Sequence, residues 1–179
     1  MKFNELVSNK LSPFLNKHGF SITEEFKNYV KLVSAVVEVV VSYDERENSN
    51  SFYVGFINDN LTLIDNTIIK QVLNAQAELR ITPSEMFLDD LINFLKSEGR
   101  CILEGNVQKL ISIREFEKKR SETYTSMLLN KQIFFAANEA WQNENFREFI
   151  SQIDKIDKNE VPPSYRLKYK IANQKLKQN

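Results

Sequence analysis

"VKLVSAVVEVVVSYDERENSNSFYVGF", residues 30–56, decides the fold. Its valine-rich half suits a strand better than a helix, because a β-branched side chain loses rotamer freedom against a preceding helical turn and packs well on a pleated surface. Its last six residues alternate aromatic and small side chains. Between these stretches stands Asp44-Glu45-Arg46-Glu47, followed by Asn-Ser-Asn-Ser, which is turn chemistry. Phe20-Ser21-Ile22 and the residues from Phe26 to Val30 predict a further strand or hairpin ahead of it. The expected object is an antiparallel meander of about three strands.

Helical patterns flank this block. Phe3, Leu6, Val7, Leu11, Phe14 and Leu15 fall at helical spacing, Pro13 predicts a kink or restart, and Gly19 a stop. On the other side, Ile68, Ile69, Val72 and Leu73 make a helical stripe behind Asp65, a candidate N-cap. In "TPSEMFLDDLINFLKSEG", Thr82 reads as N-cap, Pro83 as first helical residue, Glu85 as partner in a capping box and Gly99 as the stop. The apolar stripe of that helix is Met86, Phe87, Leu91, Phe94 and Leu95. "RCILEG" reads as a linker or strand, and all that follows reads as helix. The segment 107 to about 141 is one helix or two, since "EFEKKRSETYTS" is polar nearly all round. Two more helices carry Phe146, Phe149, Ile150, Ile153 and Ile156, then Tyr165, Leu167, Ile171, Ala172 and Leu176. The fold class expected is α+β: a small antiparallel sheet with flanking helices (1–103), then a helical C-terminal extension (104–179).

Composition narrows the chemistry. Lys+Arg and Asp+Glu both number 24, so the chain as a whole sets up no field for nucleic acid or an anionic membrane. A single cysteine, Cys101, excludes an internal disulfide framework, and with a single histidine, His18, it leaves too few ligands for a zinc site. No run approaches a membrane span, and the amino terminus reads as an amphipathic helix, so a cytoplasmic protein is expected. There is no G-x-S-x-G, no G-x-G-x-x-G and no G-x-x-x-x-G-K. No catalytic residue, metal ligand or cofactor is assigned.

Two groups of residues are candidates for binding. Metal or acid–base chemistry needs carboxylates that converge, whereas neighbours on a strand point to opposite faces. Asp44 with Arg46, and Glu45 with Glu47, therefore read as a hydrated hairpin tip whose functional use is recognition of a partner. At the other end, Arg166, Lys168, Lys170, Lys175 and Lys177 follow Val161 with no acid among them. Tyr165, Lys168 and Tyr169 share one helical stripe, a surface for nucleic acid or an acidic partner. The competing expectation is that Tyr165 packs inward and the cations serve the helix end. His18 reads as a packing residue beside the helix stop, and Cys101 as a buried small hydrophobe.

Leu11, Pro13, Leu15, Gly19, Phe20 and the strand from Phe52 to Phe56 resemble the start of small bacterial domains of unknown function. Members of that group are often suspected to be immunity proteins of polymorphic toxin systems. Separately, "AANEAWQNENFREFISQIDKI" with Val161-Pro162 resembles one tetratricopeptide-type helical hairpin, in which Phe146, Phe149, Ile153 and Ile156 stand at inter-helix packing positions. Phe149 is bulky where such repeats have a small residue, and Asn143 replaces the turn glycine. The first resemblance implies a non-enzymatic protein that binds another protein, a toxin. The runner-up is a hydrolase or transferase with a dispersed acidic site. Nucleic-acid binding through the basic C-terminal helix ranks third.

Overall fold

The computed structural model describes residues 2–178. The chain divides into two compact units, one ending at Lys118 and the other beginning at Lys119. The first extends past the expected close at residue 103, because Leu110 and Ile113 of the following helix bury in its core.

In the first unit the valine-rich stretch forms an antiparallel sheet of five strands in the order β1-β2-β3-β4-β5, two more than expected. They are β1 (Ser21–Phe26), β2 (Tyr29–Val33), β3 (Val37–Asp44), β4 (Ser49–Phe56) and β5 (Thr62–Leu63). Each pairs with the next, so every connection is local, as tight turns allow. Val37, Val39 and Val41 point to the core side with no exposure, together with Val30, Leu32, Phe52 and Val54. The opposite face of the sheet carries Tyr29, Lys31, Val40, Ser42, Ser51 and Tyr53 in cross-strand register.

Helices cover the core side. The first helical run is α1 (Phe3–Leu6), a π-helical stretch (Val7–Leu11) and α2 (Ser12–Asn16), without a break, so Pro13 sits just after the π-helical stretch, an irregularity of the kind that accompanies a proline inside a helix. Gly19 ends the run at φ +82°, a backbone shape that suits glycine. In α3 (Asn66–Gln71) Asp65 is the cap, accepting from Ile68 N at 2.9 Å. The next helix, α4 (Ser84–Lys96), corrects three expectations. Pro83 takes the N-cap position with no side-chain cap bond, so Thr82 caps nothing. Met86 is exposed, and Leu88 takes its place in the buried stripe with Phe87, Leu91, Phe94 and Leu95. The helix ends at Lys96, before Gly99, whose φ of −82° is ordinary. "RCIL" is neither linker nor strand but a single helical turn, α5 (Arg100–Leu103).

The segment left open as one helix or two is one, α6 (Val107–Gln142). Its stretch 121–132 buries no side chain, and Tyr124 and Met127 there are 63% and 66% exposed. The division between the units falls just ahead of that stretch.

The second unit packs the end of α6 with α7 (Phe146–Ile153) and α8 (Pro163–Gln178). Glu144 adopts the left-handed conformation (φ +56°) at the turn where a helical hairpin would use glycine, and Asn145 caps α7 by accepting from Glu148 N. Ala137, Ala140, Phe149, Ile153, Ile156, Val161 and Ala172 form its core. The small residues on α6 let Phe149 of α7 sink to zero exposure.

Candidate functional site

The β3–β4 hairpin places all four charged tip residues at one end of the sheet. Asp44 closes the turn: its Oδ1 accepts from the backbone N–H of Arg46 at 2.8 Å and of Glu47 at 3.2 Å. Asn48 takes φ +48°, and its Oδ1 accepts from the Tyr43 hydroxyl. Glu45 turns back to β2's approach, where Lys27 Nζ donates to it at 2.6 Å. That bond holds the Glu45 carboxyl below, and the Lys27 ammonium above, their ordinary pKa ranges. Arg46 and Glu47 make no ion pair among the described residues. The carboxylates of Asp44 and Glu45 are thus spent on separate tasks, and the three do not converge.

What the tip does share is a hollow. Asp44, Glu45, Arg46 and Glu47 line an open depression of about 600 Å³ together with Tyr29, Tyr53 and three serines, Ser42, Ser49 and Ser51. The pairing explains this: Phe26, Tyr29, Ser42 and Ser51 stand in one row across four strands. Tyr53 stands in the next row on the same face, opposite Val40. Phe26 is 64% exposed, its ring centroid 6.0 Å from that of Tyr29. Small serines beside large rings leave the depression. Alternation along β2 and β4 was the signal in the sequence that could have nominated Tyr29 and Tyr53; Phe26 reaches that face only through the irregularity in β1 between Ile22 and Glu24. The cross-strand register that aligns them was not legible there.

Farther along that face, Lys31 lies between Glu38 at 2.9 Å and Glu24 at 3.3 Å, and it closes over a Glu38 side chain that is only 9% exposed. Lys31 thereby keeps a buried carboxylate paired, which burial would otherwise penalise.

At the carboxyl end, the aromatic–cation stripe on α8 is largely spent on packing. The Tyr165 ring lies 4.5 Å from Phe134 and stacks on Phe149 at 6.5 Å, centroid to centroid. Lys168 Nζ sits over two rings, Trp141 at 5.4 Å and Tyr165 at 5.5 Å. The Tyr169 hydroxyl donates to Asp154 Oδ1 at 2.6 Å, a bond that raises its pKa. Tyr165 and Lys168 therefore hold helices together, as the packing expectation had it for Tyr165. Tyr169 also lines a hollow beside α8.

His18 is exposed with its ring edge against Phe14, and Cys101 is half-buried, its thiol pKa pushed up by burial. Among the described residues no group of three or more His, Cys, Asp or Glu side chains is placed to hold a metal ion, and no helix is long and apolar enough to cross a membrane. No family model, curated protein or solved structure matches this chain.

Proposed function

We propose that this chain is a protein-binding protein whose docking surface is the outer sheet face beside the β3–β4 turn. One observation carries the reading: Phe26 is 64% exposed next to Tyr29 on a strand row that ends in an open hollow rimmed by charged turn residues. Exposed aromatic area with an arginine at its edge is the composition of protein interfaces, where rings supply contact area at small entropic loss. The turn holds the acids Asp44, Glu45 and Glu47 against Arg46 and the neighbouring Lys27. The partner's complementary surface is therefore basic, with an apolar group to cover Phe26 and Tyr29.

In the immunity reading that partner is a toxin, and binding masks it. The test is co-expression with the product of an adjacent reading frame that arrests growth. Rescue by the wild-type chain, lost with Phe26→Ser or with Glu45→Lys/Glu47→Lys in folded protein, is the expected result. Rescue that persists in both variants would overturn the assignment of this face. A chain that binds no such product, while hydrolysing or modifying a substrate, would overturn the function.

A further inference from the structure

The balanced charge of the chain conceals a division. Up to Lys118 there are 13 Lys+Arg against 17 Asp+Glu, and from Lys119 onward 11 against 7. The second unit is the basic one, and three of its 11 cations line an apolar hollow of about 380 Å³ between the end of α7, the loop 154–161 and α8. Deepening the protein-binding reading on which it rests, we propose that this hollow receives an acidic peptide segment of a partner protein. A carboxylate of the segment would sit on Arg166, Lys158 and Lys170, and an adjacent apolar side chain on Ile153, Ile156 and Val161.

The charged side chains that line the hollow are mostly cations. Three cations, Lys158, Arg166 and Lys170, line it against one acid, Asp154, and that carboxylate already accepts the Tyr169 hydroxyl at 2.6 Å. Arg166 is held in place without being neutralised: its Nε donates to Val161 O at 2.7 Å and its Nη2 to Asn159 O at 3.3 Å. A guanidinium has five N–H donors, so donors remain for a carboxylate. Lys158 and Lys170 have no carboxylate partner among the described residues. The hollow's apolar side chains, Ile153, Ile156 and Val161, belong to the unit's core, so its base is rigid.

This chemistry favours a peptide over the other anions. Nucleic acid offers phosphates but nothing aliphatic for the isoleucines, and the rings that would stack on its bases are spent: Tyr165 is packed on Phe134 and Phe149, and Tyr169 is tied to Asp154. A free small carboxylate would fill the hollow and stop there. Beside the hollow, Leu167 is 61% exposed three residues before Lys170, so an apolar group stands next to that cation on the helix surface. An extended segment with alternating acidic and apolar side chains uses both.

Fluorescence anisotropy of a short fluorescein-labelled peptide of alternating glutamate and leucine, titrated with the full chain, tests the proposal. Saturable binding is expected, weakened about tenfold or more by Lys158→Glu/Lys170→Glu, in which both sites are exposed and folding is checked by circular dichroism. A peptide with lysine in place of glutamate should not bind. Glu45→Lys/Glu47→Lys should leave the titration unchanged, so failure here is separable from failure of the sheet-face assignment. Three results would overturn the proposal: no saturable binding, binding indifferent to the lysine reversals, or octanoate or polyuridylate binding more tightly than the peptide at physiological salt.

Discussion

The ring of Phe94 fills the space where a side chain on Gly99 would stand: a Cβ there would lie 2.6 Å from Phe94 Cε1 and 2.9 Å from Cδ1. Gly99 has a φ of −82°, open to any residue, so its identity is set by close approach and not by backbone shape. Gly19, at φ +82° with no atom within 4 Å of a Cβ, is the opposite case.

Gly99→Ala should therefore destabilise by about 1–3 kcal/mol through overpacking, read as a lower urea midpoint. Phe94, 1% exposed, should lose roughly 3–5 kcal/mol on Phe94→Ala. In the double variant the two losses should fall short of their sum, since the smaller side chain makes room for the new methyl. Strict additivity would show that the ring does not fill that space.

Asn50, not Thr82, anchors the start of α4. Asn50, 3% exposed, donates from Nδ2 to Ile81 O at 2.6 Å and accepts from Ser84 Oγ at 2.9 Å. Asn50→Ala should lower stability by about 1–3 kcal/mol, because it removes two hydrogen bonds made by a side chain that is 3% exposed. Thr82→Ala should stay within about 0.5 kcal/mol of wild type. Denaturant midpoints of the two variants decide between them, and the reverse order would restore Thr82 as the cap.

Stability should carry an acid limb from Asp90. Arg80 grips this carboxylate with Nε and Nη2, both at 2.6 Å, and the bond holds its pKa below the usual carboxylate range. A carboxyl whose folded pKa lies below its unfolded value of about 3.9 stabilises the fold above that value and ceases to do so as pH falls through the folded pKa. Asp90→Asn should thus be less stable than wild type at neutral pH, with the gap closing in acid. Urea midpoints from pH 7 to about 2 measure it, and a gap constant with pH would exclude the ion pair as its source.

Lys168 is a packing residue despite its charge. Lys168→Ala should cost about 0.5–2 kcal/mol through the lost contacts with two rings. It should also shift the emission of Trp141, the chain's single tryptophan. Lys177→Ala, at the exposed end of α8, should do neither. An unchanged Trp141 spectrum in Lys168→Ala would place the ammonium in solvent.

Much of the secondary structure was legible along the chain, because it rests on local physics. Valine density forced strands between residues 30 and 41, the Asp-Glu-Arg-Glu and Asn-Ser run forced the turn, and Asp65 capped its helix through a bond three residues away. The α+β class followed from the change of period alone. The rest depended on groups distant in sequence. Gly99 reads as a helix stop until the ring of Phe94 is seen against it. Thr82 reads as a cap until Asn50, far upstream on β4, holds the turn instead. The register that lines up Phe26, Tyr29, Ser42 and Ser51 is a relation among four strands, and no single strand states it. Lys158, Arg166 and Lys170 come to one hollow only when α7, the loop after it and α8 pack together. Propensity and capping act over a few residues and so are written in order along the chain; close approach, register and the grouping of charge arise when distant segments share space, and only the packed structure decides them.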